Sequence, residues 1–102
     1  MEDHRIALNQ FAFRQANETI AQRAGDGSTE FLCECGRPEC SAKVAIALED
    51  YDAVRAYPRR FLCAPGHLTP AIESIVEDAD DHVVVEKGGR AGEIADATNP
   101  RG

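Results

Sequence analysis

A chain of 102 residues has room for one domain and one small core, which excludes a multidomain architecture. Hydrophobic residues at 43% and charged residues at 28% are the mix of an ordinary folded domain and exclude a disordered body. The net charge of −7 gathers in the last third, where residues 69–102 carry eight acidic against three basic side chains, so phosphate backbones are repelled and nucleic acid is not an expected partner.

No apolar run approaches the ~20 residues that span a bilayer, so no membrane partner is expected. The opening Met1-Glu-Asp-His-Arg-Ile6 lacks the basic flank and apolar stretch of a signal peptide. The expected location is cytoplasmic. Thiols stay reduced there, and four cysteines read as metal ligands before they read as disulfides.

Taken in order, residues 5–24 predict a helix. Ile6, Phe13, Ala16, Ile20 and Ala24 fall near one stripe at the 3.6-residue period, with Arg14, Glu18 and Arg23 off it, and Asp3 in a capping position. That stripe is expected to face the domain or a partner. Gly25 and Asp26-Gly27 then turn the chain. Thr29 to Cys33 predicts a short strand, and Lys43 to Leu48, with Val44, Ile46 and Leu48 alternating, predicts a second. Together they form a hairpin.

Glu49 to Tyr57 predicts a short helix ended by Pro58, and Arg59 to Cys63 a brief strand. Arg55, Arg59, Arg60, Tyr51 and Tyr57 form the chain's one basic-aromatic concentration, expected as a solvated rim or an anion or partner site. Ala64-Pro-Gly-His67 is a turn. Thr69-Pro70, followed by Ile72, Ile75 and Val76, predicts a further helix; Asp78 to Asp81 is an acidic turn, and His82 to Lys87 is a strand closed by Gly88-Gly89. Residues 90–102 are small and polar and are expected to be a mostly mobile tail on a domain of residues 1–89. The expected class is α+β: an N-terminal helix, a small, mainly antiparallel sheet with two short helices, and a zinc-stapled hairpin.

The chemistry sits in Phe31-Leu-Cys-Glu-Cys-Gly-Arg-Pro-Glu-Cys40 and in Gly66-His67. Zn²⁺ takes four soft or borderline donors in a tetrahedron, commonly three Cys and one His, and close spacing lets one turn supply several of them. Cys33, Cys35, Cys40 and His67 make that set, with Cys63, His82 and His4 as alternatives to His67. Glu34, between two ligands of an extended segment, must point away from the ion. Four protein ligands close the coordination sphere, which makes the expected site structural. No Cys-x-x-Cys, phosphate loop or Gly-x-Ser-x-Gly is present, and no enzymatic activity is expected. The expected role is a non-catalytic interaction or regulatory module that contacts another protein, or a second copy of itself, through the N-terminal helix or the Tyr-Arg surface.

A second ligand set, Cys33-x-Cys35 with Cys63-x₃-His67, resembles that of the CDGSH iron–sulfur proteins and implies a [2Fe-2S] cluster and a redox or sensor role. Cys63-Ala-Pro-Gly-His67 lacks the Asp-Gly-Ser interior of that motif, and Cys40 has no role in it. Over nearly its whole length the chain resembles a set of small, uncharacterised, mainly actinobacterial proteins. The likeness is carried by Asn17-Glu18, Phe31-x-Cys33-Glu-Cys35, Cys40, Glu49-Asp-Tyr-Asp-x-Val-Arg55, Arg60-Phe61, Pro65-Gly-His67 and Val84-Val-Glu-Lys87. That resemblance implies no established activity. It does imply counterparts of Cys33, Cys35, Cys40 and His67, and an aliphatic residue where Cys63 stands, which casts Cys63 as a buried thiol.

Overall fold

In a computed structural model, the described residues are 2–25, 27–37, 39–67 and 73–101, without the side chains of residues 2–7 and 91. The order is α1 (Glu2–Arg23), β1 (Ser28–Leu32), β2 (Lys43–Ala47), α2 (Leu48–Arg55), β3 (Arg60–Cys63), β4 (Glu73–Asp78), β5 (Val83–Lys87) and α3 (Gly89–Ala97). The α+β class holds, with the strands in two antiparallel sheets, β1-β2 and β3-β5-β4. No described helix is long and apolar enough to cross a membrane.

The β1-β2 hairpin pairs Phe31 with Val44 and Thr29 with Ile46, and its alternation buries Phe31, Val44 and Ile46. These residues meet Tyr51 of α2, Leu62 of β3 and Ala21 of α1 in one apolar cluster, where the Phe31 and Tyr51 rings stack with centroids 4.3 Å apart. Phe61, the neighbour of Leu62, faces the other way. It joins Cys33, Cys35, Cys63, Val83, Val85 and Ala95 in a second cluster.

The helix expected from Thr69 through Val76 is overturned in its second half. Residues 73–76 belong to β4, antiparallel to β5 with Glu73 opposite Lys87, while 69–72 lie outside the described residues. Ile75 and Val76 are β-branched and favour the extended chain, and the acidic turn after Asp78 closes the hairpin through a bond from Ala79 N–H to His82 O, 2.9 Å. The expected tail carries an element of its own. Residues 89–97 form α3, which buries Ala95 against the Phe61 cluster and is tied by Arg59 to Asp96 at 2.9 Å. Gly92 makes the close approach possible, since a Cβ there would lie 2.8 Å from Lys87 O.

The face of α1 also departs from expectation. Its buried row is Gln10, Arg14, Asn17 and Ala21, at spacings of four, three and four. Phe13 and Ile20 are only half-buried and Ala16 is exposed; the side chain of Ile6 lies outside the described residues. The helix docks through hydrogen bonds. Asn17 clasps the outer edge of β1, donating from Nδ2 to Leu32 O at 2.9 Å and accepting Leu32 N–H at Oδ1 at 2.8 Å, as a neighbouring strand would. Arg14 donates to Pro58 O at 2.7 Å and to Ala95 O at 3.0 Å, placing a cation at the C-terminal turn of α3. Gln10 donates to Glu73, itself ion-paired with Lys87, and Asn9 donates to Gly36 O at 2.9 Å beside the cysteine loop.

Candidate metal centre

Cys33 follows the last residue of β1, and its N–H continues the hairpin ladder to Ala42 O at 3.1 Å. The loop between the strands bends at Cys35-Gly36 and returns through a bond from Cys40 N–H to Arg37 O, 3.0 Å. One hairpin loop therefore presents three thiols to the same point. The fourth group comes from another segment: Ala64-Pro65-Gly66-His67 closes through His67 N–H to Ala64 O at 3.1 Å, with Gly66 at φ 81°. Proline in the second place and a left-handed glycine in the third are what a type II turn requires. That turn swings the imidazole over the loop.

The donor atoms of Cys33, Cys35, Cys40 and His67 all lie within 4.8 Å of one another. His67 Nδ1 is 3.6 Å from Cys33 Sγ and 3.4 Å from Cys40 Sγ. A tetrahedral ion with bonds of about 2.3 Å to sulfur and about 2.0 Å to nitrogen sets its S···N edges at about 3.5 Å. The spacing fits one ion. Cys33 and Cys35 are buried and Cys40 is half-buried, so the site opens on the Cys40 side.

Backbone amides complete the surroundings. Ala64 N–H donates to Cys33 Sγ at 3.2 Å and the Arg37 amide to Cys35, the kind of outer bond that favours a thiolate. Cys33 and Cys35 are both held toward the protonated thiol. A bond from Cys35 pulls Cys33 down, but the bond to Cys63 and burial outweigh it and push Cys33 up to about 12. The bond from Cys33 and then burial push Cys35 up to about 12 as well. A metal ion entering here displaces protons from sulfur.

Of the alternative fourth ligands, Cys63 is buried against Cys33 but is not among the four converging donors. His82 is engaged elsewhere, with Nδ1 2.7 Å from Asp81 and Nε2 3.6 Å from Glu77. The His4 side chain lies outside the described residues.

Glu34 points away from the ligands, and the direction it takes is into the core, fully buried. Its carboxylate accepts Asn17 Nδ2 at 2.7 Å, the Tyr51 hydroxyl at 2.7 Å and Leu62 N–H at 2.8 Å, with Arg55 Nη2 at 3.8 Å as counter-charge. Its own N–H reaches Leu62 O at 2.7 Å. Glu34 thus satisfies both backbone groups of Leu62 and joins the hairpin to β3. Tyr51 keeps its hydroxyl protonated through burial first and its neighbour Glu34 second.

The basic-aromatic concentration does not form a single rim. Tyr51 and Arg55 belong to the interior, while Arg60 stacks over Tyr57 at 3.8 Å and Arg59 pairs with Asp96 on the surface. Arg14, Lys87 and Arg55 lie 4.6, 5.2 and 5.5 Å from the centroid of the Phe61 ring, so one buried aromatic ring neighbours three cations. Reading for apolar periodicity missed all of this. The available signal was the polar row Gln10, Arg14 and Asn17 at helical spacing.

Compared with protein-family models, with curated proteins and with solved structures, the chain matches none. Function therefore rests on the site itself.

Proposed function

We propose that this chain is a small zinc protein, in which Cys33, Cys35, Cys40 and His67 hold one structural Zn²⁺ that ties the β1-β2 hairpin to the turn after β3. The observation that carries it is the convergence of four donors within 4.8 Å, contributed by two segments far apart in sequence. Three thiolates and one imidazole are the donor set of a closed zinc site. With no coordination position left for substrate or water, the role is non-catalytic. We assign it to protein interaction or regulation, with contact made by the outward edge of α1, where Leu8 is 53% exposed. A [2Fe-2S] cluster would have to recruit Cys63 in place of Cys40, and the four donors drawn together here suit a single ion better than a pair of irons.

The test is metal content and an absorption spectrum on the purified chain, with Cys40→Ser and Cys63→Val beside it. One colourless zinc per chain, lost with Cys40 and kept without Cys63, is the expected result. A coloured iron protein that depends on Cys63 and tolerates loss of Cys40 would replace this reading.

A further inference from the structure

Cys63 stands outside the converging quartet, yet it is buried with Cys33 in the Phe61 cluster, and the N–H of the next residue, Ala64, donates to Cys33 Sγ at 3.2 Å. The backbone explains why they meet. Glu34 N–H to Leu62 O at 2.7 Å and Ala64 N–H to Cys33 Sγ at 3.2 Å bring residues 33–34 against 62–64. Cys33 is therefore shared. On one side it joins Cys35, Cys40 and His67, and on the other it touches a thiol that the quartet does not use. The same sulfur cannot be a metal-bound thiolate and half of a disulfide at once.

We propose that Cys33 and Cys63 are a two-electron thiol–disulfide couple that takes hydrogen peroxide as oxidant and whose oxidation empties the metal site. The proposal rests on reading the quartet as metal ligands. The Cys33 thiolate attacks one peroxide oxygen; an S–O bond forms, the O–O bond breaks, and the departing hydroxide takes the Cys63 proton and leaves as water. Cys63 thiolate then attacks Cys33 sulfur, the S–S bond forms, the S–O bond breaks, and hydroxide leaves. Each sulfur gives up one electron and the peroxide takes both. Cys35 and Cys40 are tied to the ion, whereas Cys63 is free to resolve the sulfenic acid. A disulfide sulfur is no longer a thiolate donor, so three ligands remain and the ion is released.

The experiment treats the zinc-loaded full-length chain with excess hydrogen peroxide, follows zinc with a chromogenic chelator, and maps disulfides by mass spectrometry of unreduced peptides. Zinc is expected to leave in step with a Cys33–Cys63 cross-link and to rebind after reduction. Cys63→Val, checked for native circular dichroism, is expected to load one zinc and to release it about tenfold more slowly. Cys63→Ala makes the same comparison if the larger side chain disturbs the fold. Release from either variant at the wild-type rate, or a cross-link from Cys40 to Cys33 or Cys35 in place of Cys33–Cys63, overturns the couple. A chain that loads no zinc refutes the metal reading alone. The couple is then decided by the map: the Cys33–Cys63 cross-link sustains it, and its absence ends it.

Discussion

Cys33 and Glu34 are adjacent in sequence and opposite in environment. The Cys33 side faces three further donors gathered within 4.8 Å, so on the proposed reading its cohesion depends on a metal supplied from solution and on thiols kept reduced. The Glu34 side carries its counter-charge within the chain: one carboxylate gathers Asn17 of α1, Tyr51 and Arg55 of α2 and Leu62 of β3. Both sides tie the β1-β2 hairpin to the same stretch, residues 62–67. On the proposed reading a small core is held twice, once by a metal and once by a carboxylate of the chain itself.

The largest effect that tests this contrast comes from Glu34→Gln. It leaves the Arg55 guanidinium buried without a counter-charge and sets an amide donor among the donors of Asn17, Tyr51 and Leu62. Breaking a buried pair from one side costs about 3–5 kcal/mol, and denaturant unfolding with zinc at saturation should show a loss of that size. A loss that disappears once zinc is added would mean that the permanent tie is the metal, and the contrast would fail.

Tyr51→Phe is the milder probe. It keeps the ring stacked on Phe31 and removes one donor from a buried carboxylate, at about 1–3 kcal/mol near neutral pH. It also carries a pH signature. Burial and Glu34 raise the folded-state value of Tyr51 above that of the unfolded chain, so its contribution is whole below about pH 10 and is lost as pH rises beyond it, because the unfolded chain releases the proton first. Wild-type stability should therefore fall more steeply above pH 10 than that of Tyr51→Phe. Parallel curves would show that neither burial nor Glu34 holds the hydroxyl protonated.

How far the fold was legible depends on what kind of signal each segment carries. The hairpin and β5 were readable because Val44, Ile46 and Val83 to Val85 bury a pattern, and the four donors were readable because metal chemistry fixes residue type and spacing. The docking of α1 was not. Apolar periodicity pointed at Phe13 and Ile20, whereas the buried contacts are amide and guanidinium groups that end strand edges and helix termini, tasks that depend on where distant backbone atoms fall. The direction of Glu34 followed from alternation, but its partner lies 21 residues away and no local rule names it. β4 was missed because Ile72, Ile75 and Val76 fit a helical face as well as a strand, and the pairing that decides it, Glu73 with Lys87, is again non-local.

The smallest effect belongs to the outward side of α1. Leu8 is 53% exposed and lies nearly opposite the buried row Gln10, Arg14, Asn17 and Ala21, so it contributes little to the fold of the isolated chain. Leu8→Asp should change stability by no more than about 0.5 kcal/mol and leave zinc content untouched, as measured by denaturant unfolding and metal analysis. A loss above about 1 kcal/mol would show that this edge is already covered by the chain itself. The interaction role would then have to move to the Tyr57–Arg60 stack, where Tyr57 is 51% exposed and its ring already carries a cation.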